Sequence, residues 1–392
     1  GTQQAARFFA STKTRMKSAK GISCIQARRG ASIEQMEETN MEHANLHYYQ
    51  AQKLVNEPDV KYYDVRQEPF SIHGLYRPRE EAVFKRLPDE VGLNTNEGVA
   101  KLYTNPAGGR VRFVTDSRYL AVKTEMGYNC HRSTITLLAS AGFDIYVRQG
   151  LGETYCASMI PPIDFEDHYE LIQYFGDRQR REITLYLPLY NDLNKLEIGL
   201  EAGATLEAAH AHPLPIVYYG SSITQGACAS RPGMAYEAQI ARRLNRDFIN
   251  LGLAGAARGE KIIADYMAGL EFSAFVSDYD HNAPSPEHLA ATHFPLYEAV
   301  RARHPDAPYL MLSRPVVRFD VEHELRRREI IMESYEKAQR LGDRNVYFVD
   351  GFSLFGADAM EDCKADGTHP NDLGFYRMAE TIGKVLQHAL AR

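Results

Sequence analysis

Residues 216–224 have the sequence IVYYGSSIT. The first four residues are an apolar run, and a glycine and two serines follow it. A short run that is apolar throughout is typical of a strand buried on both faces of a parallel sheet. Gly220 allows a sharp turn out of this strand, which leaves the hydroxyl of Ser222 exposed at its carboxyl end. Taken alone the pattern is weak, because two serines after a strand also form ordinary turns and helix caps.

The chain after this first strand alternates between short apolar runs and helical stretches. Four further strands are predicted over residues 248–251, 275–279, 309–312 and 346–349. Helices are predicted over residues 234–244, 288–303, 322–340 and 373–390. Five strands interleaved with helices predict a parallel, doubly wound sheet, in which ligands bind at the carboxyl ends of the strands.

Residues suited to acyl transfer lie at those strand ends. Gly255 follows the second strand and Asn282 the third, and each can direct an N–H group into the cleft. Asp366 and His369 precede the last helix with the spacing Asp-x-x-His, so the carboxylate can hold the ring Nδ1–H and leave Nε2 as a base. Each feature alone has an ordinary explanation as a turn or a cap. Together with Ser222 they supply a nucleophile, oxyanion donors and a base.

Three more polar residues at this edge are candidates for contact with substrate. Asp280 and His281 are expected mainly to support Asn282, because polar groups at a strand end usually satisfy loop backbone. Arg314 could bind a substrate carboxylate, although an ion pair with a nearby acid is the simpler expectation for a buried arginine. Cys228 has no base beside it in the sequence, and we interpret it as a packed thiol.

The segment from about residue 60 to 210 has the pattern of a β domain. Strands are predicted over residues 111–114, 119–122, 133–138, 143–147, 182–186 and 195–198. Turns rich in Gly, Pro and Asn separate them, which predicts a β-sandwich or jelly roll. Alternating polarity over residues 181–187 favours a strand with one face exposed to water. His210 and His212 are interpreted as solvated linker residues before two prolines rather than as metal ligands.

The composition excludes several classes of partner. The 392 residues include 51 Asp and Glu against 45 Lys and Arg, and this net charge of −6 argues against nucleic acid. No apolar run approaches the roughly 18 residues that cross a bilayer, so no membrane partner is expected. Five scattered cysteines without a C-x-x-C pair favour reduced thiols and a cytoplasmic location over a disulfide framework or a structural zinc site. The predicted chemistry needs no metal and no cofactor.

With these motifs the chain resembles the SGNH (GDSL-like) hydrolase superfamily. Residues 220–223 stand where that family has its Gly-Asp-Ser block, with Ser221 in place of the usual Asp. Gly255, Asn282 and the pair Asp366-x-x-His369 match the second, third and fifth blocks. Asp280-His281 replaces the usual Gly-Gly before the block-three Asn, which places more charge beside the pocket.

A second resemblance lies in the β domain. Residues 142–146 read GFDIY, which looks like the Gly-x-Asp-Leu-Tyr motif of a two-domain branch of these enzymes. In that branch a β-sandwich precedes the hydrolase domain, and its members include carbohydrate esterase-like proteins and some acyltransferases. We therefore divide the chain into a basic, disordered extension over 1–45, a β-sandwich domain over 46–212 and an SGNH hydrolase domain over 213–392.

The resemblance implies a flavodoxin-like α/β/α hydrolase domain with five parallel strands. It implies Ser222, His369 and Asp366 as a catalytic triad, with the oxyanion held by the backbone N–H groups of Ser222 and Gly255 and the side chain of Asn282. The expected activity is hydrolysis of short-chain esters, carbohydrate-linked ones among them. Transfer of the acyl group to an alcohol and non-catalytic sugar binding are the alternatives, and a homo-oligomer is left open.

Overall fold

The structure, a computed structural model, describes residues 55–127, 130, 132–150, 152–315 and 321–392. The predicted extension over residues 1–45 lies outside these ranges. The described residues form two antiparallel sheets followed by a five-stranded parallel sheet flanked by helices, which confirms the predicted fold class.

The antiparallel part contains ten strands and three short helices. The strands are β1 (Val60–Asp64), β2 (Ser71–His73), β3 (Arg110–Thr115), β4 (Tyr119–Met126), β5 (Phe143–Gln149), β6 (Gly152–Met159), β7 (His168–Tyr174), β8 (Arg181–Tyr186), β9 (Leu193–Glu201) and β10 (Leu206–Glu207). The helices are α1 (Asp89–Thr95), α2 (Glu97–Leu102) and α3 (Leu137–Ala141). One sheet has the order β1-β9-β4-β7, and the other has the order β10-β3-β8-β5-β6 with β2 paired to β3.

Strand β8 is buried on both faces, whereas its alternating polarity predicted one face exposed to water. Ile183 and Leu185 point into the core between the two antiparallel sheets, as the alternation predicts. The predicted exposed face is wrong, because Thr184 and Tyr186 on the other side are only 3% and 2% exposed. Tyr186 belongs instead to a core that it shares with residues of the parallel domain such as Tyr218. The second domain therefore covers this face.

The strand predicted over residues 133–138 is also wrong. Its first residues form a turn, and its last two begin helix α3. Thr136 caps that helix, because its hydroxyl oxygen accepts a hydrogen bond from Ala139 N at 3.0 Å. The same hydroxyl donates to the carbonyl oxygen of Ser230 at 2.7 Å. A β-branched residue that favours strands thus serves here as a helix cap.

The parallel domain carries the remaining elements. The strands are β11 (Ile216–Gly220), β12 (Phe248–Gly252), β13 (Ala274–Asp278), β14 (Tyr309–Leu312) and β15 (Val346–Val349). The helices are α4 (Ser222–Gln225), α5 (Tyr236–Leu244), α6 (Lys261–Ala268), α7 (Pro286–Arg303), α8 (Val321–Arg340) and α9 (Asp372–Leu390). Sequence analysis predicted all of them except the short helices α4 and α6.

The sheet order β12-β11-β13-β14-β15 places the first strand between the next two. Gly220 lies in register with Gly252 on one side and with Asp278 on the other, so three strands end at the same level. Helices α5 and α9 pack on one face of the sheet. Helices α6, α7 and α8 pack on the other, which makes three layers. None of the described helices combines the length and hydropathy that a bilayer crossing requires.

The side chain of Arg86 joins the two domains. It is 1% exposed and donates hydrogen bonds to the carbonyl oxygens of Leu102 and Asn105 within the β domain, at 2.8 and 2.7 Å. It also donates to the carbonyl oxygens of Asn250 and Gly252 at the end of β12, at 3.2 and 2.5 Å. One buried guanidinium therefore satisfies backbone acceptors of both domains at the edge where the parallel strands end.

The segment between β10 and β11 packs more tightly than a solvated linker. Residues 208–215 lie outside helix and strand, but the rings of His210 and His212 lie 4.3 Å apart and His210 contacts Glu182. Burial, with the charge of Arg112, lowers the pKa of His212 to about 3. His212 is therefore less solvated than expected, since both of its ring nitrogens are buried, whereas His210 keeps 32% of its side chain exposed. A domain boundary at residues 212 and 213 stays a prediction.

We expect Arg86→Met to destabilise both domains together. The substitution leaves four buried carbonyl oxygens without their donor, and we estimate the loss in the free energy of unfolding at about 3 kcal/mol or more. Denaturant unfolding should show a single shifted transition. Arg180→Met is the matched control, because that side chain is 63% exposed and pairs with Glu207 at the surface. Its effect should stay within about 0.5 kcal/mol. Equal effects of the two substitutions would refute the role of Arg86.

Candidate active site

The turn after β11 holds the predicted nucleophile. Ser221 caps helix α4, since its side chain accepts a hydrogen bond from Ile223 N at 3.1 Å, and Ser222 begins the helix. Gly220 has no room for a side chain, because a Cβ there would lie 2.0 Å from Thr224 Oγ1 and 2.4 Å from the carbonyl oxygen of Asp278. The glycine is thus required by the tight packing under the turn, and this turn sets the direction of Ser222.

The structure brings the three predicted catalytic residues together. Ser222 Oγ lies 2.9 Å from His369 Nε2. His369 Nδ1 lies 2.9 Å from Asp366 Oδ2 on the other side of the ring. A carboxylate at Nδ1 favours the tautomer that carries its proton there, which leaves Nε2 free to accept the serine proton. The three side chains have the geometry of a nucleophile, a base and the group that orients the base.

The loop that carries Asp366 and His369 is fixed at its base. The other carboxylate oxygen of Asp366 accepts hydrogen bonds from the backbone N–H groups of Thr368 and His369, both at 2.7 Å. Burial acts to raise the pKa of Asp366, but these backbone bonds and the His369 ring outweigh it and lower the pKa below its ordinary value. Asn371 then caps α9 through Gly374 N at 3.1 Å. Asp366 is therefore held as a carboxylate against the imidazole.

The two predicted oxyanion residues flank the nucleophile turn. Gly255 follows β12, has a φ of 74° and borders open space at the position a side chain would take. Asn282 ends a 3₁₀ turn over Asp280–Asn282 that follows β13, and its N–H donates to the carbonyl oxygen of Tyr279 at 2.9 Å. Because β12 and β13 are the two neighbours of β11, both residues follow strands that end on either side of the strand before Ser222. Their function as oxyanion donors stays a prediction.

Asp280, His281 and Arg314 form a polar cluster next to the triad. Asp280 is 1% exposed, and one of its carboxylate oxygens accepts a hydrogen bond from Arg314 N at 3.0 Å. The Arg314 guanidinium lies 3.7 Å from Glu324, so an ion pair accounts for its charge. Burial lowers the pKa of His281 well below its ordinary value, and the charges of Arg314 and His369 act in the same direction. Contact of these side chains with substrate stays a prediction.

Residues of the β domain support the site, and no sequence motif predicted them. Tyr190 OH donates to the carbonyl oxygen of Ser222 at 3.4 Å. The Gln225 side chain donates to Asn105 Oδ1 and to the carbonyl oxygen of Leu189, at 3.1 and 3.0 Å, and accepts from Ala254 N at 3.0 Å. It thereby connects the β domain to the loop that carries Gly255. No local pattern in the sequence marks these contacts, because they join segments far apart in the chain.

The GFDIY motif also contacts the nucleophile segment, which we define as residues 222–233. The Asp144 carboxylate is fully buried and accepts hydrogen bonds from Arg231 Nη1 at 2.8 Å and from Gly233 N at 2.7 Å. Arg231 donates in addition to Tyr146 OH at 2.7 Å. The acidic and aromatic residues of the motif thus hold the chain at Arg231 and Gly233, nine and eleven positions after Ser222. This gives the motif a structural function at the domain interface.

Cys228 lies against the triad rather than in a remote core. Its sulfur, a ring nitrogen of His369 and a carboxylate oxygen of Asp366 all lie within 4.8 Å of one another. In the part of the chain that the structure describes, this is the only group of three or more Cys, His, Asp or Glu side chains close enough to share a metal ion.

Two buried acids lie beneath the nucleophile turn. Asp278 Oδ2 accepts hydrogen bonds from Thr224 Oγ1 at 3.1 Å and Tyr236 OH at 3.3 Å. Burial, with the charge of Asp280, raises the pKa of Asp278 to about 8. Burial likewise raises the pKa of Glu237 to about 8, although Asn250 donates to its carboxyl group at 2.5 Å. Both groups are therefore largely protonated at neutral pH.

Comparison with known families identifies both parts of the chain. The profile of the GDSL-like lipase/acylhydrolase family matches residues 214–387, and a profile for the N-terminus of SGNH hydrolase-type esterases matches residues 60–206. A comparison with curated proteins finds no match.

Solved structures give the same fold. A putative GDSL-like lipase from Bacteroides ovatus is 30% identical with a TM-score of 0.78, and the alignment covers 85% of this chain and 98% of that one. A salicylyl-acyltransferase from a tetracycline biosynthetic pathway has the same coverage, 22% identity and a TM-score of 0.72. A family two carbohydrate esterase from Cellvibrio japonicus is 10% identical with a TM-score of 0.58, again over 85% and 98% of the two chains. The last two likenesses show the fold alone.

We expect Asp278→Asn to flatten the dependence of stability on pH. The pKa of Asp278 is raised from 3.8 to about 8 in the folded chain, so the folded state binds more protons than the unfolded state between those values. The free energy of unfolding therefore falls as pH rises through this range and levels off above it. The amide retains the acceptor for Thr224 and Tyr236 but cannot ionise.

Denaturant unfolding of both proteins across that pH range provides the measurement. Glu237→Gln is the parallel variant, and it should remove a second part of the same slope. The two parts are coupled, because the charge of Asp278 helps to raise the pKa of Glu237. An unchanged slope in Asp278→Asn would show that Asp278 is already ionised in the fold.

Proposed function

The chain belongs to the GDSL-like lipase/acylhydrolase family, and from this premise we propose that it is a serine esterase that forms an acyl-enzyme on Ser222. The observation that carries the proposal is the hydrogen-bonded series from Ser222 Oγ through His369 to Asp366, with 2.9 Å at each step. Family membership gives the reaction class, whereas the assignment of roles to single residues depends on this geometry.

In the first half of the reaction, Ser222 Oγ attacks the ester carbonyl and gives its proton to His369 Nε2. The oxyanion that forms is held by the N–H groups of Ser222 and Gly255 and by the Asn282 side chain. Collapse of this intermediate breaks the bond to the alcohol, which leaves with the proton from His369. Asp366 keeps the ring oriented and stabilises its positive charge while the proton is on it.

In the second half, a water molecule takes the place of the alcohol. His369 removes a proton from the water, the resulting hydroxide attacks the acyl group on Ser222, and the serine leaves with the proton from His369. An alcohol in the position of the water would give a new ester by the same steps. Hydrolysis and acyl transfer therefore use the same catalytic residues. They differ in whether water or an alcohol attacks the acyl-enzyme.

The residues around the triad favour a small, polar ester. Asp280, His281 and Arg314 form a polar cluster on the His369 side of the triad, and Gly255 borders open space. A long alkyl chain offers these polar groups no hydrogen-bond partner, so their pairing with substrate would be lost. A short acyl group on a hydroxyl-rich alcohol avoids that loss. Short-chain esters of sugars are therefore our proposed substrates, and the carbohydrate esterases of this fold support their inclusion in a test panel.

The intact triad geometry argues against a purely sugar-binding protein. Such a protein would not need a serine hydroxyl in contact with an oriented imidazole. The chain also contains no Trp, although it has 24 Tyr, so the strongest aromatic platform for stacking sugars is missing. Sugar affinity without ester cleavage would favour the binding function over ours.

We expect Ser222→Ala to lower turnover of short-chain aryl and sugar esters by at least about 10³-fold, because no other group can form the acyl-enzyme. Initial rates over a panel of such esters provide the measurement. Ser221→Ala is the matched control: it removes the neighbouring hydroxyl and the α4 cap but leaves the triad in place. It should retain activity within about tenfold, with a loss of stability near 1 kcal/mol. Undiminished hydrolysis by Ser222→Ala would end the proposal.

We expect Asn282→Ala to lower kcat by about 10² to 10³-fold with little change in KM, since an oxyanion donor acts mainly in the transition state. Asn282→Asp, nearly the same shape, should lower kcat further because a carboxylate repels the oxyanion. Steady-state kinetics on one aryl ester separate the two constants, and thermal unfolding confirms that the variants fold. Full kcat in Asn282→Ala would remove this residue from the oxyanion hole.

A further inference from the structure

A cysteine side chain lies beside the predicted catalytic residues and has no part in the proposed reaction. Cys228 follows the αL end of helix α4 at Gly226, and Ala227 N donates to the carbonyl oxygen of Ser222 at 2.9 Å. The backbone of Cys228 has a φ of 68°, which is uncommon for a residue with a side chain. The fold thus holds this residue in a defined and unusual conformation six positions after the nucleophile.

Its sulfur meets two other metal-binding groups. A ring nitrogen of His369, a carboxylate oxygen of Asp366 and the Cys228 sulfur lie within 4.8 Å of one another. Thiolate, imidazole and carboxylate are the three protein ligands that Zn²⁺ uses, at about 2.3 Å from sulfur and about 2.0–2.2 Å from nitrogen or oxygen. Ligands of a tetrahedral zinc ion then lie about 3.5 Å apart. The ligand atoms would therefore have to approach one another by up to about 1.3 Å to close the site.

The two segments that supply these ligands are tied to each other. Cys228 comes from the nucleophile segment, whereas Asp366 and His369 come from the loop before α9. Asp372 at the start of α9 accepts hydrogen bonds from Ser230 N at 2.9 Å and from Ser230 Oγ at 2.5 Å. This contact keeps the two segments together, so the ligands are arranged before any ion arrives and less ordering is needed on binding.

We propose that Cys228, His369 and Asp366 form a binding site for Zn²⁺ or another thiophilic divalent cation, and that occupation of this site switches the esterase off. The metal-binding part stands alone, whereas the inhibitory part rests on the proposed function. Cysteine and histidine select zinc and cadmium over magnesium and calcium, which prefer oxygen ligands.

The chemistry explains why metal binding and catalysis exclude each other. Both ring nitrogens of His369 are used by the triad, Nε2 by Ser222 and Nδ1 by Asp366. A cation that binds the ring takes the place of one of these hydrogen bonds, and the thiol releases its proton to solvent. A metal-bound imidazole cannot carry the serine proton in the cycle, and a carboxylate that ligates the ion no longer orients the ring. Chelation of the ion reverses both changes.

Cd²⁺ binding to the intact Ser222→Ala protein tests the site without turnover. Titration should show the ultraviolet absorption band of a Cd²⁺–thiolate bond, saturating at one ion per chain. Ser222→Ala combined with Cys228→Ala should lose this band and bind Cd²⁺ on the order of 100-fold more weakly. Even loss of a group that only hydrogen-bonds to a metal ligand weakens sites about 10–100-fold. No band in Ser222→Ala, or an equal band after loss of Cys228, would overturn the proposal whatever the protein hydrolyses.

Inhibition is the second measurement. Zn²⁺ should inhibit ester hydrolysis by the wild-type chain, and a chelator should restore it. Cys228→Ala should keep its basal activity and need on the order of 100-fold more Zn²⁺ for the same inhibition. Cys156→Ala, which removes an exposed thiol on β6, is the matched control and should be inhibited like the wild type. Equal sensitivity of Cys228→Ala and the wild type would overturn the inhibitory function.

Discussion

The site depends on one imidazole that must make two hydrogen bonds in its own plane at the same time. His369 meets Ser222 with Nε2 and Asp366 with Nδ1, at 2.9 Å on each side. A ring has no freedom to compensate if either partner shifts, so both partners must be held from outside the triad. On the acid side, the local spacing of Asp366 and His369 and the two backbone N–H groups on Asp366 achieve this. Ser222 is 147 residues away from His369 in the chain, so only tertiary structure can hold it in place.

That tertiary support comes largely from the β domain. Tyr190 contacts the backbone of Ser222, Gln225 links the nucleophile helix to the loop of Gly255, and Arg86 reaches the end of β12. The two cores beside the parallel sheet likewise contain residues of both domains. The β domain is therefore part of the framework of the site, and its loss would leave the strand ends with unpaired carbonyl oxygens and exposed apolar faces.

Sequence patterns predicted what is local and missed what is not. The five strands of the parallel sheet are short, mainly apolar runs, which local sequence reveals. The pairing of β11 with β12 and β13 then aligns Gly220 with Gly252 and Asp278. The proximity of Ser222, Asp366 and His369 could be predicted because a turn glycine and an Asp-x-x-His spacing occur together at strand ends, although each alone has an ordinary explanation. The burial of Tyr186 could not be predicted. Alternating polarity along a strand shows which residues share one face of the strand, but it does not show what covers that face. Thr136 was wrongly predicted to lie in a strand for a related reason. The local sequence does not distinguish a β-branched residue that caps a helix from one in a strand.

The GFDIY motif shows how the support of the nucleophile is shared along one segment. Tyr190 holds the segment at Ser222, Asp372 at Ser230 and Asp144 at Gly233, so contacts from the β domain and from α9 alternate along a dozen residues. Asp144 is fully buried, and it stays compatible with that burial because Arg231 and a backbone N–H face it. Arg231 in turn is placed by Tyr146. The motif in the β domain thus fixes the segment of the parallel domain that follows Ser222.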